Sequence, residues 1–350
     1  MKIYAVDLFC GVGGLTLGLQ QAGINVIAGV DLENACEFPY VENTRARFLN
    51  RDIKMLSGKE VDSLYPEDTE VKILVGCAPC QPFSSYSNRY KNTPNKERSM
   101  NLLLEFGRII EEVQPDIVSM ENVPQLRKTD VFSKFIDILK KNSYFYSYSN
   151  VFVPDYGVPQ NRKRLVLLAS KYSKISIIKE KYNQSNYLTV RDFIGDLKPL
   201  KAGEVDKTDS LHWSAKLSEK NLKRIKQSRP GGSWQDWDDS LKLECHKKKT
   251  GYSYTAVYGR MEWDKVAPTI TTKFYGYGNG RFGHPEQNRA LSLREGALLQ
   301  TFPRNYKFFD KQHPLSFFKL GVLIGNAVPV KLGKAIGESI FKHIYLSKGD

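Results

Sequence analysis

The sequence predicts an α/β protein: a doubly wound, mostly parallel sheet with a smaller, irregular domain. Three observations carry that expectation. Short apolar runs alternate with helical patterns over the first 170 residues, a glycine cluster follows the first run, and from about residue 171 lysines, tyrosines and turn formers replace any clear period. The expected division is a main domain over 1–170, an irregular domain over 171–290, and a return segment over 291–350 that completes the first.

The elements follow in order. Ile3-Tyr4-Ala5-Val6-Asp7-Leu8 reads as a buried strand, Phe9-Cys10-Gly11-Val12-Gly13-Gly14 as a turn, and 15–22 as a helix that Gly23 stops. Further buried strands are expected at 25–30, 71–75, 116–120 and 164–169, with helices at 100–113 and 131–141. Such alternation argues for parallel strands covered on both faces, with ligands at their carboxyl ends. Regular structure returns at 292–300 and in a closing helix at 331–345.

Composition narrows the function. The 350 residues are 41% hydrophobic and 26% charged, which fits neither a disordered nor a fibrous chain. No apolar run is read as reaching the ~18 residues of a membrane span, and the first seven residues read as a strand rather than a cleavable signal. Net charge is +14 and the isoelectric point near 9.3. Residues 171–290 hold 23 basic and 14 acidic side chains, so +9 of the excess lies there, with Trp213, Trp234, Trp237 and Trp263. Basic residues interleaved with aromatics suit a nucleic acid, whose bases can be stacked upon; a solvated lysine-rich surface has the same composition. Five irregularly spaced cysteines suit a reducing compartment rather than a disulfide framework.

Candidate chemistry collects after the strands. Gly11, Gly13 and Gly14 either bring backbone close to a ligand at a helix N-terminus or form a plain tight turn. Asp31 and Asp52 could accept hydrogen bonds from a ribose and an adenine amino group, or cap helices. In Gly76-Cys77-Ala78-Pro79-Cys80-Gln81-Pro82, two prolines flank Cys80 and hold its thiol in one direction. Cys77 and Cys80 also form a CxxC, open to redox exchange or half a zinc site, but no second CxxC and no histidine at ligand spacing accompanies it, so no metal is expected. Glu121 ends another apolar strand and should share a rim with Cys80. Arg162 and Arg164, at spacing two, should face one side of a strand, toward that rim or toward solvent.

The ordered series Asp7-Leu8-Phe9-Cys10-Gly11-Val12-Gly13-Gly14, Pro79-Cys80-Gln81, Glu121-Asn122-Val123, Gln160-Asn161-Arg162-Lys163-Arg164, Arg294-Glu295 with Gln300-Thr301-Phe302-Pro303, and Gly325-Asn326-Ala327-Val328-Pro329 resembles the motifs of DNA (cytosine-5) methyltransferases of the prokaryotic restriction-modification type. The resemblance runs from residue 7 to residue 329 and leaves uncovered only the basic region, the family's variable target-recognition domain. It implies a Rossmann-like S-adenosylmethionine-dependent methyltransferase fold, in which 1–170 is catalytic and cofactor-binding. S-adenosylmethionine is the implied cofactor, cradled by Phe9, Gly11, Gly13, Asp31, Asp52, Leu102 and Asn326, with Phe9 stacking on adenine. Cys80 is the implied nucleophile toward carbon 6 of a flipped-out cytosine, Glu121 the partner of ring nitrogen 3 and the exocyclic amine, Arg164 the partner of the base oxygen, and Arg162 a brace or backbone contact.

The implied substrate is double-stranded DNA, contacted by residues such as Lys247, Lys248, Lys249 and Arg281. A cognate restriction endonuclease is the expected functional partner, the enzyme is expected to be monomeric without a membrane, and its place is the prokaryotic cytoplasm or nucleoid. The alternative is a transfer-RNA methyltransferase of the same family, whose Cys-Phe-Thr signature is missing around Cys245. A catalytically inactive DNA-binding relative is disfavoured by the presence of Cys80, Glu121 and Arg164 together.

Overall fold

The computed structural model describes residues 1–79 and 94–348. The chain forms two compact units: Met1–Tyr156 with Lys163–Lys181 and Val328–Asp350, and Gly157–Arg162 with Tyr182–Ala327.

In the first unit, seven strands form one sheet: β1 (Ile3–Leu8), β2 (Asn25–Asp31), β3 (Arg47–Asn50), β4 (Val71–Gly76), β5 (Ile117–Asn122), β6 (Phe145–Phe152) and β8 (Lys163–Ser170), in the order β3-β2-β1-β4-β5-β8-β6. The strand β7 (Gln160–Asn161) belongs to the second unit. Strands β1 to β5 pair in parallel; apolar runs predict β1, β2, β4 and β5, whereas β3, with its end residues exposed, was missed. β8 pairs antiparallel with both β5 and β6. The sequence reading missed β6, whose serines and tyrosines are half-exposed along the sheet edge and so carry no continuous apolar signal.

Helices α1 (Gly14–Gln21), α2 (Glu37–Thr44), α3 (Gly58–Asp62), α4 (Pro94–Val113), α5 (Asp130–Lys141) and α12 (Val330–Lys348) belong to this unit. α5 shows why local sequence suffices: Thr129 accepts from the Phe132 N–H as its N-cap, Asp130 opens the first turn, and Lys140 and Lys141 close the last. Its buried Phe135 meets Phe106 of α4 at 5.7 Å between ring centres, over Val118 and Met120 of β5. On the opposite side of the chain's beginning, α12 packs on α1 backbone to backbone. A Cβ on Gly18 would lie 2.5 Å from Gly333 C, Lys334 N and Val330 O.

The second unit holds α6 (Val190–Ile194), α7 (Glu219–Gln227), α8 (Glu244–Lys247), α9 (Lys249–Tyr252), α10 (Leu293–Leu299) and α11 (Phe317–Asn326), with β7 parallel to β9 (Ala267–Pro268). Residues 291–327, read from sequence as part of a return to the first domain, pack within this unit. The tie is a buried amide chain: Gln160 donates to the Leu299 carbonyl and to Gln300, and Gln300 donates to the carbonyls of Ile324 and Ala327.

With few ladders available, side chains satisfy the unit's backbone. Buried Arg260 donates to the carbonyls of Ile225, Ser228, His284 and Gln287 and to Asn288. Buried Arg289 grips Glu295 through two bonds of 2.7 and 2.6 Å. Burial alone would raise the Glu295 carboxyl, yet Arg289 pulls it down to about 2. Trp234 and Trp237 sit with Ile225 and Tyr277 in the unit's core, and Trp213 and Trp263 pack edge-on against Phe317 and His284. Trp234 and Trp237 are thus core residues rather than stacking partners for bases, while Trp213 and Trp263 stay half-exposed.

By length and composition the stretch Phe317–Lys348 passes as a membrane-span candidate, contrary to the sequence reading, but 78% of its apolar window is buried inside the protein, as in core helices.

Two substitutions test this packing. Gly18→Ala forces α1 and α12 apart and should cost about 1–3 kcal/mol, read by thermal or denaturant unfolding. Arg289→Met strands a buried carboxylate and should cost about 3–5 kcal/mol; a loss within experimental error would mean that Glu295 finds another partner.

Candidate active site

The densest chemistry lies at the carboxyl ends of β4 and β5. Glu121 is the fifth residue of β5 and only 2% exposed. It pairs across the sheet with Val166, which places Arg164, two residues earlier on the antiparallel β8, diagonal to it on the same face. Arg164 Nε lies 2.9 Å from Glu121 Oε1, an ion pair rather than an aligned hydrogen bond. The other carboxyl oxygen, Oε2, accepts from the Cys77 thiol at 2.8 Å. Next along, Asn122 donates from Nδ2 to the Ala78 carbonyl at 2.9 Å and accepts from the Val123 N–H, tying the end of β5 to the segment that leads into Cys80. Cys80 itself lies outside the described residues.

Arg162 and Arg164 do not share a strand face as the spacing suggested. Arg162 falls between β7 and β8, lies in the second unit, and donates from its buried guanidinium to the Ile270 carbonyl at 3.2 Å. The break arises because Gln160–Asn161 pairs with Ala267–Pro268 instead of continuing the main sheet.

At the end of β1 the backbone enters the left-handed region three times, at Phe9 (φ 60°), Gly11 (φ 52°) and Gly13 (φ 85°). For Phe9 that conformation is costly and marks a constrained site; its ring is half-buried against the core. Gly13 caps α1 without a side chain, leaving the helix N-terminus to backbone N–H groups, and a Cβ at Gly11 would meet nothing within 4 Å. Asp31, at the end of β2, accepts from the N–H groups of Gly11 and Glu33, each at 2.8 Å, and burial raises its carboxyl. Asp52 caps the turn Ile53–Met55 through the Lys54 N–H, Leu102 lies half-buried on α4 against the core, and Asn326 is exposed at the end of α11 in the second unit. The structure thus brings Phe9, Gly11, Gly13 and Asp31 together around one turn.

Two residues were not singled out by sequence reasoning. Cys77 was weighed only as half of a CxxC. Asp7 opened the first motif but reads locally as one polar residue in a strand; it is 1% exposed, accepts from Thr16 Oγ1 at 2.7 Å, and its Oδ1 has no hydrogen-bond partner among the described residues. Tyr40 backs the same hydroxyl at 3.0 Å. Burial, opposed in part by Thr16, raises the Asp7 carboxyl to about 7.

A mostly parallel sheet with one reversed strand, and a glycine turn and an acidic residue after its first two strands, define a doubly wound α/β fold. A family model described as C-5 cytosine-specific DNA methylase matches residues 3–342. The chain is 52% identical over 338 residues to the Type II methylase M.HgiDII of Herpetosiphon aurantiacus, covering 96% of this chain and 94% of that one. It is 34% identical over 351 residues to the Type II methyltransferase M1.BsuMI of Bacillus subtilis, covering 95% and 78%. Among solved structures, a protein encoded within an Escherichia coli prophage superposes with a TM-score of 0.73 at 20% identity, covering 97% and 99% of the two chains. The Entamoeba histolytica methyltransferase EhMeth superposes at 0.68 with 14% identity, covering 98% and 99%. The chain belongs to the C-5 cytosine-specific DNA methylase family and is a DNA cytosine-5 methyltransferase.

The buried Asp7 gives this fold a pH signature. Its carboxyl titrates near 3.9 in an unfolded chain and at about 7 in the fold, so the folded state keeps a proton that the unfolded chain has released. Its contribution to stability is full below about pH 4 and is lost as pH rises through about 7. Asparagine does not titrate. The melting temperature of Asp7→Asn relative to wild type should therefore rise by about 5 °C between pH 5 and pH 8; a difference that stays flat with pH would remove Asp7 as the source.

Proposed function

We propose that this enzyme transfers a methyl group from S-adenosylmethionine to carbon 5 of a cytosine flipped out of double-stranded DNA, with Cys80 as nucleophile, in the manner of restriction-modification methyltransferases. The observation that carries the reading is Glu121, a carboxyl buried at a strand end and held by Arg164, next to the Asn122 tie into the Cys80 segment.

The residues have separable tasks. The Cys80 thiolate adds to carbon 6, and the electron pair of the 5,6 double bond moves onto carbon 5, making it nucleophilic. An unperturbed thiol, with a pKa of ~8.5, is only a few per cent ionised at neutral pH, so its activation matters. Glu121 hydrogen-bonds ring nitrogen 3 and the exocyclic amine and donates a proton as negative charge builds on the ring. Arg164 holds Glu121 and is positioned for the base oxygen, while Arg162 braces its own unit. After transfer, loss of the proton on carbon 5 and cleavage of the carbon–sulfur bond restore the double bond and free Cys80.

S-adenosylmethionine, when bound, supplies the electrophilic methyl group that carbon 5 takes up. The residues fit such a cofactor: open space at Gly11, bare N–H groups at the start of α1, and the Asp31 carboxyl tied to the Gly11 N–H. Phe9, Gly11, Gly13 and Asp31 would hold it, with Asp52, Leu102 and Asn326 as further contacts.

Duplex DNA is favoured by the exposed run Lys247, Lys248 and Lys249, followed by exposed Tyr252 and Tyr254, a basic stretch with rings beside it. Arg281 is a weaker candidate, because its guanidinium donates to the carbonyls of Gly231 and Gly232. Flipping a base out of the stack costs a few kcal/mol, which phosphate contacts must offset. A cognate endonuclease is the functional partner, and a cytoplasmic monomer is the expected form.

Duplex DNA carrying 5-fluorocytosine at the target should trap a denaturant-resistant protein–DNA adduct in the presence of cofactor, because fluorine blocks the final elimination. Cys80→Ser should abolish methylation and trapping while leaving DNA binding largely intact. Retained turnover in that variant, or label entering transfer RNA and not DNA, would overturn the proposal.

A further inference from the structure

We propose that Cys77 is a positioning residue for methyl transfer: its thiol, donating to Oε2 of Glu121, sets with Arg164 the plane in which that carboxyl meets the cytosine ring. This rests on the proposed role of Glu121. The contact is 2.8 Å, and the carboxyl it reaches is nearly free of solvent, so side chains rather than water must orient it. One partner is not enough. Arg164 engages Oε1 through Nε, which leaves the carboxyl able to pivot about that oxygen; a donor on Oε2 removes the pivot.

Cys77 can act as such a donor because its backbone is fixed. It directly follows β4, and its N–H donates to the Leu8 carbonyl at 3.4 Å, so it continues the β1–β4 pairing by one step. One residue on, Ala78 offers the carbonyl that Asn122 binds. Glu121 and Asn122 thus grip the same short segment, one through the Cys77 side chain and the other through the Ala78 backbone. A thiol also suits an oxygen that must later face a base. It is a weak donor, able to yield when the ring's nitrogen approaches, where a second cation on Oε2 would compete with the base. The CxxC spacing that suggests redox or metal chemistry has, at Cys77, this different use.

The test compares wild type, Cys77→Ala and Cys77→Ser in single-turnover trapping on 5-fluorocytosine duplex with S-adenosylmethionine, with DNA affinity and melting temperature measured alongside. Cys77→Ala should slow adduct formation about fivefold, the size of one net hydrogen bond, while its DNA Kd stays within about twofold of wild type. Cys77→Ser, which restores a donor, should recover at least half of the lost rate. Wild-type protein that traps no adduct would overturn the reading of the reaction together with this inference. Normal trapping by wild type with an equal rate in Cys77→Ala, an equal loss in both variants, or a loss carried wholly by DNA affinity would overturn the role of Cys77 alone.

Discussion

A carboxyl group withdrawn from water at the end of a central strand needs partners supplied by the fold, and Glu121 is such a group. Much of the first unit can be understood as the means of supplying them. An arginine diagonal to Glu121 requires a neighbouring strand in the right register, and β8 provides it by running antiparallel, so that Val166 lies opposite and Arg164 falls beside the carboxyl. The other side is met by the segment leaving β4, where Cys77 and Ala78 are reached by Glu121 and Asn122 in turn. The reversed strand between β5 and β6 is thus part of the site's chemistry as well as of its architecture.

A second constraint is that distant stretches of chain touch at places where only small or amide side chains fit. Gly18 and Gly333 let α1 and α12 meet through their backbones, which returns the end of the chain to its beginning. In the second unit Gly325 lies so close to Thr271 that a Cβ would fall 2.4 Å from that residue's carbonyl oxygen, and the Gln160–Gln300 chain satisfies the carbonyls freed where α11 ends. Several segments that stand out in the sequence as motifs therefore have structural work: they are where backbone meets backbone, and any added atom would part the elements.

Electrostatics divide the two units differently. In the first, the buried Asp7 and the half-buried Asp31 lie around the glycine turn, and desolvation raises both carboxyls. In the second, the buried carboxyl Glu295 is fully countered by Arg289 and driven the other way. The Arg289–Glu295 pair serves as an internal brace for a unit with little regular structure.

The sequence by itself determined four of the five parallel strands, the helices α1, α4, α5 and α12, and the glycine turn, because each is signalled by local periodicity, a cap or a breaker within a dozen residues; β3, short and partly exposed, carried no such signal. It also placed Asp31 and Glu121 at the carboxyl ends of their strands, because each follows an apolar run. Only the tertiary structure decided that Arg162 and Arg164 part company, that Trp234 and Trp237 are core, that β6 is a strand, and that Cys77 touches Glu121. Each of these depends on which segments distant in the chain lie side by side. Cys77 and Glu121 are 44 positions apart, and no local pattern of hydrophobicity records that β4 and β5 are neighbours.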